Sequence, residues 1–157
     1  MLVFALITSS NIRALVKELI DFLDAAETEF KTYITTEILM ASEKFAPSSR
    51  WHVDTVLSLL IKAGAYIRED MIPSITQLFA ATTDMHAYAV QCLYKAMLED
   101  ISSQPLCQVA LWCLGEFGHL LFQPTDANLT GISESDVLDV IQAVLDTSTS
   151  TQANQNK

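Results

Sequence analysis

The stretch IRALVKELIDFLDAA, residues 12–26, places its apolar side chains three and four residues apart. Because a helix completes a turn about every 3.6 residues, this spacing puts them on one face. That face consists of Ile12, Leu15, Val16, Leu19, Ile20 and Leu23. Asn11 stands at the N-cap position, where a side-chain oxygen can accept a hydrogen bond from the first turn. The stretch predicts an amphipathic helix with one buried face.

The pattern recurs in the next two segments. In residues 28–46 we predict a helix with Thr28 as its cap, ended by Pro47. Its apolar stripe comprises Phe30, Ile34, Ile38, Ala41 and Phe45. A helix over residues 50–67 follows, with Ser49 as its cap and Gly64 permitting a bend or a close crossing. Its buried face comprises Val53, Val56, Leu57, Leu60 and Ile61.

Four more helices are predicted after Asp70. One begins at Asp70, with Pro73 in its first turn, where a missing N–H group costs nothing. Another begins at Asp84, and its predicted buried face comprises Met85, Tyr88, Ala89, Cys92, Leu93 and Ala96. The most apolar helix runs from Pro105 to Leu121. After a loop over residues 122–133, Ser133 or Ser135 caps a short helix that carries Val137, Leu138, Ile141, Val144 and Leu145.

This succession of helices indicates an all-α fold. The distance from one helix pair to the next is close to the roughly 40 to 47 residues of HEAT and armadillo units. We therefore predict a HEAT/armadillo-like α-solenoid of antiparallel helix pairs over residues 1–146, truncated at both ends. Residues 147–157 have no apolar character beyond Ala153 and are predicted to be a disordered polar tail.

The charge of the chain excludes several classes of partner. Nineteen acidic residues against nine basic ones give a formal charge of −10. Such a surface repels phosphate backbones and anionic headgroups, so we expect neither nucleic-acid binding nor direct membrane insertion. Residues 96–156 contain no lysine or arginine. This acidic stretch would suit a basic surface on another protein.

The cysteines and the first residues indicate a reducing compartment. Cys92, Cys107 and Cys113 are an odd number without a CxxC spacing, which predicts buried reduced thiols in a cytosolic protein. The opening MLVFALITSSNI has too short an apolar run for a signal peptide or a membrane span. The sequon Asn128-Leu-Thr130 is interpreted as chance, since glycosylation does not occur in that compartment.

One spacing typical of metal ligands is present. Glu116 and His119 form Glu-x-x-His, which supplies ligands in carboxylate-bridged di-iron bundles. Such a site needs a second copy of the motif, and neither His52 nor His86 has a glutamate three residues before it. A helical-bundle metalloenzyme is therefore the weaker alternative, and His119 is better explained by the negative pole of a helix end.

Other polar residues have structural explanations. We expect Trp51 to pack onto the preceding helix across the Pro47 turn, with partner binding as the alternative. Asp54 lies two residues from His52 and so does not face it. His86 beside Asp84 indicates a capped helix start. No phosphate-binding or nucleophile motif is present among only four glycines. The sequence thus predicts no catalytic, cofactor or metal residue.

Four blocks carry a resemblance to a known family. They are NIRALVKELIDFLDAAETEFK, EKFAPSSRWHVDTVLSLLIKAGAYIRED, MHAYAVQCLYKAML and QPLCQVALWCLGEFGHLL. They are similar to the trunk of the gamma-adaptins, the large chains of the clathrin adaptor complex of the trans-Golgi network and endosomes. The RWH and WCLGEFG blocks are the most specific, and they discriminate against an armadillo-like segment of another coat or transport scaffold.

The resemblance implies a function without catalysis. It implies a curved solenoid that assembles with a second large chain, a medium chain and a small chain, recruits clathrin and sorts cargo. It also implies a cytoplasmic location, at the cytosolic face of the trans-Golgi network, endosomes and clathrin-coated vesicles. Membrane association would be peripheral, through the complex.

Overall fold

The computed structural model describes residues 2–123 and 132–155, which form α-helices joined by short turns and no strand. The helices are α1 (Leu2–Ala5), α2 (Ile12–Leu23), α3 (Thr28–Phe45), α4 (Ser49–Ala63), α5 (Ile72–Ala81), α6 (His86–Glu99), α7 (Gln104–Phe117) and α8 (Glu134–Gln155). Short 3-10 turns occupy Gly64–Tyr66, Glu69–Met71, Thr83–Met85 and Gly118–Phe122. Most of the predicted loop over residues 122–133, including the sequon, lies outside the described residues.

The helices stack in two layers. One layer contains α2, α4 and α6, and the other contains α3, α5 and α7. Consecutive helices from α2 to α7 pack on each other, α4 packs on α6, and α5 packs on α7. The apolar core lies between the layers. This arrangement confirms the predicted all-α, HEAT/armadillo-like fold.

Helix α2 buries the predicted face, but its cap differs. Ile12, Val16, Leu19, Ile20 and Leu23 are buried. Asn11 makes no side-chain cap bond to α2. Instead its Oδ1 accepts from the Thr8 N–H group at 2.7 Å, and its Nδ2 donates to the Leu6 carbonyl at 2.8 Å. Asn11 thus occupies the predicted N-cap position, but its side chain closes the preceding turn instead of bonding to the first turn of α2.

The buried face of helix α3 differs from the predicted apolar stripe. Its buried residues are Ile34, Thr35, Ile38, Leu39 and Ser42. Phe30 is 52% exposed, and Glu27, not Thr28, occupies the N-cap position. Ser42 can be buried because its hydroxyl donates to the Leu39 carbonyl at 2.8 Å. Counting apolar residues therefore missed the small hydroxyl residues on the buried face.

Helix α4 begins one residue earlier than predicted. Ser48, not Ser49, is the cap, and its Oγ accepts from the Trp51 N–H group at 3.2 Å. Ile61 is 49% exposed, whereas Leu59 takes a buried position. The predicted close crossing at Gly64 is confirmed, since this residue lies against Ser103 at the start of α7.

Helix α7 is a core helix. Leu106, Cys107, Val109, Ala110, Cys113 and Leu114 are buried. Residues 104–122 have the length and mean hydropathy, 1.2, of a membrane span, but 44% of that window is buried inside the fold. Packing against α5 and α6 accounts for its apolar composition.

Helix α8 is capped as predicted but is longer. The Asp136 N–H group donates to Ser133 Oγ at 3.2 Å, and the Ser133 N–H group donates to Asp136 Oδ2 at 2.8 Å. The helix continues to Gln155, so the prediction of disorder from Thr147 was wrong up to that residue. The hydroxyls of Ser148 and Ser150 donate to backbone carbonyls four residues earlier in the helix.

Candidate functional site

Trp51 and His52 are neighbours on α4 but line different grooves. Trp51 lines a groove of about 280 Å³ between α2 and α4. His52 lines a groove of about 240 Å³ between α3, α4 and α5. Successive residues of a helix point roughly 100° apart, so the two side chains diverge. Trp51 therefore lies on the side of α4 that faces α2, whereas the sequence predicted packing onto α3.

The groove beside Trp51, hereafter the α2–α4 groove, combines apolar and charged side chains. Its lining comprises Arg13, Val16, Lys17, Ile20, Asp21, Trp51, Asp54, Thr55, Ser58 and Lys62. Lys62 Nζ lies 3.7 Å from Asp21 Oδ1, and both side chains are largely exposed. Arg13 and Lys17 form no ion pair within the described part of the chain. The α2 side of the groove thus presents two exposed cations without an ion-pair partner in the described residues.

A polar cluster connects this groove to α6. Arg50 Nε lies 3.7 Å from Asp54 Oδ2, and the Arg50 guanidinium lies 5.4 Å from the centre of the Tyr88 ring. A hydrogen bond with the Asp54 carboxylate, together with burial, raises the pKa of Tyr88 to about 12. Asp54 Oδ1 is itself buried without a hydrogen-bond partner. The Asp54 carboxylate beside the groove is nevertheless held by Arg50 and Tyr88.

The groove beside His52 is more apolar. It is lined by Leu39, Glu43, His52, Val56, Met71, Ser74, Ile75, Gln77, Leu78 and Ala81. Burial lowers the pKa of His52, and the charge of Glu43 opposes this shift. Ser74 also lines this groove, but no hydrogen bond joins its hydroxyl to His52.

His86 joins three helices. Its Nε2 lies 2.8 Å from the Phe79 carbonyl of α5, to which it donates. Its ring stacks on Phe117 of α7, with centroids 3.6 Å apart, and Phe117 meets the edge of Trp112 at 5.7 Å. The prediction that Asp84 caps this helix was wrong, because α6 has no side-chain cap bond. The separation of these residues in sequence concealed the cluster.

Glu116 and His119 are both exposed at the end of α7. Over residues 2–123 and 132–155 no group of three or more histidine, cysteine or acidic side chains could hold a metal ion. The pair therefore has no additional ligands from that part of the chain, and no observation favours a metalloenzyme.

The three cysteines are free thiols in packed surroundings. Cys107 and Cys113 are buried, and Cys92 is half-buried. Burial raises the pKa of Cys113 to about 12 and also raises the pKa values of Cys92 and Cys107. Neutral thiols are poor nucleophiles, so these residues serve packing.

Comparisons with known proteins give a consistent result. The family model described as "Adaptin N terminal region" matches residues 1–156. The chain is 44% identical over 143 residues to AP-1 complex subunit gamma-like 2 of Mus musculus, covering 90% of this chain and 18% of that protein. It is 39% identical over 161 residues to AP-1 complex subunit gamma of Dictyostelium discoideum, covering 98% and 18%. It is 30% identical over 146 residues to AP-2 complex subunit alpha-2 of Arabidopsis thaliana, covering 93% and 14%.

Proposed function

Because this chain belongs to the family of the adaptin N-terminal region, we propose that it is a scaffold segment of a clathrin adaptor large chain. Its relatives include AP-1 gamma subunits of several organisms, and the resemblance to the gamma-adaptins is thereby confirmed. The chain spans 18% of the length of the first of these relatives. The activity and partners of a whole adaptor are accordingly part of the proposal.

The two-layer stack of helices carries this proposal. A solenoid presents long exposed faces on which other proteins can be held, because each helix pair is covered only by its neighbours. In the described residues no histidine is hydrogen-bonded to a nucleophilic side chain, and no metal-ligand cluster is present. We propose a structural role without catalysis.

The proposed partners are the other adaptor subunits. They are a second large chain, a medium chain and a small chain, with clathrin engaged through the full complex. The proposed location is the cytosolic face of the trans-Golgi network, endosomes and coated vesicles, with peripheral membrane association through the complex. The charge of −10 supports contact with protein rather than direct contact with an anionic lipid surface.

A chimera tests this function. In the Dictyostelium discoideum AP-1 gamma subunit, the matching segment is replaced by this chain, which is 39% identical to it. We expect the chimera to co-purify with the second large, medium and small chains, and to co-sediment with coated vesicles. Exclusion of a folded chimera from the complex would contradict the proposal.

A matched pair of variants controls for folding. Leu60→Asp places a charge in the fully buried core and should abolish assembly by unfolding the segment. Glu116→Gln changes an exposed side chain and should leave assembly intact. If the Leu60→Asp chimera assembled as well as the parent chimera, assembly would not depend on this segment.

A further inference from the structure

We propose that the α2–α4 groove binds an extended acidic peptide of a partner protein. Two acidic side chains of an acid-x-acid sequence would contact Arg13 and Lys17, and an apolar side chain would pack on Trp51. This inference goes beyond the scaffold function, because it concerns one groove and holds whichever complex contains the chain.

The distribution of charge is the first argument. Acidic residues outnumber basic ones nineteen to nine, yet three of the nine basic side chains, Arg13, Lys17 and Lys62, line this one groove. Arg13 and Lys17 have no ion-pair partner in the described part of the chain. Adding a carboxylate beside an unpaired exposed cation gains attraction without breaking an existing pair.

The spacing of the two cations is the second argument. Arg13 and Lys17 are four residues apart on α2, so their Cβ atoms lie about 5–6 Å apart on one face. An extended chain rises roughly 3.3 Å per residue, which places alternate side chains about 6.6 Å apart on one side. Two acids separated by one residue therefore match the two cations.

The interior of the groove suits the rest of a peptide. Trp51 is half-buried beside Val16 and Ile20, and it offers an apolar surface to an incoming side chain. Arg50 Nε lies 3.7 Å from Asp54 Oδ2, so the negative charge of Asp54 beside the groove is already partly offset.

The net charge of the chain disfavours an anionic membrane as the occupant. A lipid surface would face much of a chain whose formal charge is −10, whereas a short peptide contacts only the groove, where three cations stand beside Asp21 and Asp54. The charges of the chain thus favour an acidic peptide over an anionic membrane.

The experiment uses the full 157-residue chain and a fluorescein-labelled peptide containing Glu-Ser-Glu-Ser-Phe. Fluorescence anisotropy is followed at low ionic strength, where charge contacts are least screened. We expect saturable binding that Lys17→Glu weakens roughly tenfold or more, since it replaces attraction by repulsion. Lys44→Glu makes the same change of charge outside the groove and should alter affinity less than about twofold. Lack of binding, or equal losses in both variants, would overturn the proposal.

A gain of affinity separates the proposal from misfolding. Asp21→Asn removes a carboxylate from the groove and releases Lys62, so it should tighten peptide binding about two- to threefold. Weaker or unchanged binding would count against the site. Two further measurements test other occupants, namely co-sedimentation with phosphatidylserine or phosphoinositide vesicles and sedimentation velocity of the chain alone. If Lys17→Glu abolishes binding to vesicles, the groove binds a membrane. If it abolishes self-association, the groove binds a second copy of the chain. Either result would overturn the peptide proposal.

Discussion

Ser103 Oγ lies in the space that a Cβ atom on Gly64 would occupy. The crossing joins the 3-10 turn after α4 to the start of α7. Because Gly64 has a φ of −54°, its backbone would accept alanine, and only the neighbouring hydroxyl opposes a side chain there.

We expect Gly64→Ala to lower the free energy of unfolding by about 1–3 kcal/mol through overpacking. Ser103→Ala removes an oxygen that has no hydrogen-bond partner and leaves a Cβ atom at an ordinary contact distance of 3.5 Å. The double variant should therefore recover the stability lost in Gly64→Ala. Urea denaturation of all four proteins measures the coupling, and additive effects would show that the crossing does not restrict residue 64.

His86→Ala should destabilise the chain by about 1–3 kcal/mol. The substitution leaves the Phe79 carbonyl without its side-chain donor and removes the stack on Phe117. His119→Ala, at an exposed position, is the matched control and should change stability by less than about 0.5 kcal/mol. Thermal unfolding compares the two variants. Equal effects would contradict the stabilising contacts that His86 of α6 makes with α5 and α7.

The stability contributed by His52 should depend on pH. Burial lowers the pKa of His52 from 6.5, so the folded chain binds fewer protons at this site than the unfolded chain. Its contribution is complete above the unfolded pKa and is lost as the pH falls from there through the folded pKa. His52→Gln should therefore flatten this part of the profile of unfolding free energy against pH. His119→Gln serves as the comparison, and an unchanged slope in His52→Gln would show that His52 takes up no extra proton on unfolding.

Val144→Ala should loosen α8. Val144 is 5% exposed and is the buried side chain of α8 within the described part of the chain, whereas Leu145 is 51% exposed. We expect Val144→Ala to accelerate hydrogen exchange of the α8 amides by about tenfold, corresponding to roughly 1.4 kcal/mol of lost packing. Leu145→Ala, which removes a larger side chain from the surface, should have the smaller effect. The reverse order would place the other face of α8 against the core.

Native labelling of the thiols should follow their burial. Cys92 is half-buried and should react with iodoacetamide before Cys107 and Cys113. Cys113 should react last, because burial raises its pKa to about 12 and keeps it protonated. Mass spectrometry after timed labelling gives the order, with denatured protein as the reference in which all three thiols react. Early labelling of Cys113 would contradict the packing of α7.

The sequence predicted the positions of the helices better than it predicted which face of each helix is buried. Apolar spacing identified the buried side of α2, where charged residues fill the other side. It failed on α3, where Thr35 and Ser42 are buried and Phe30 is exposed. The hydrogen bond of Ser42 to its own helix makes burial inexpensive, and a count of apolar residues does not register it.

The candidate site was predicted only in part. Packing on the preceding helix was expected of Trp51, with partner binding as the alternative, but the direction of this side chain depends on the cap at Ser48, which sets the start of the helix. The cations of α2 were not connected with Trp51, because nothing in the local sequence shows that α2 and α4 lie in the same layer. Long-range packing determines that relationship, as it does for His86 and Phe117.

Stacking in two layers also has a consequence for how the chain loses its structure. Each helix pair depends on its immediate neighbours, so on heating the outermost helices of this 157-residue chain should fray before the central segment unfolds. The segment from α4 to α7, which has neighbours on both sides, would remain folded longest. A stack of helices built in this way can yield locally under load while its middle keeps its shape.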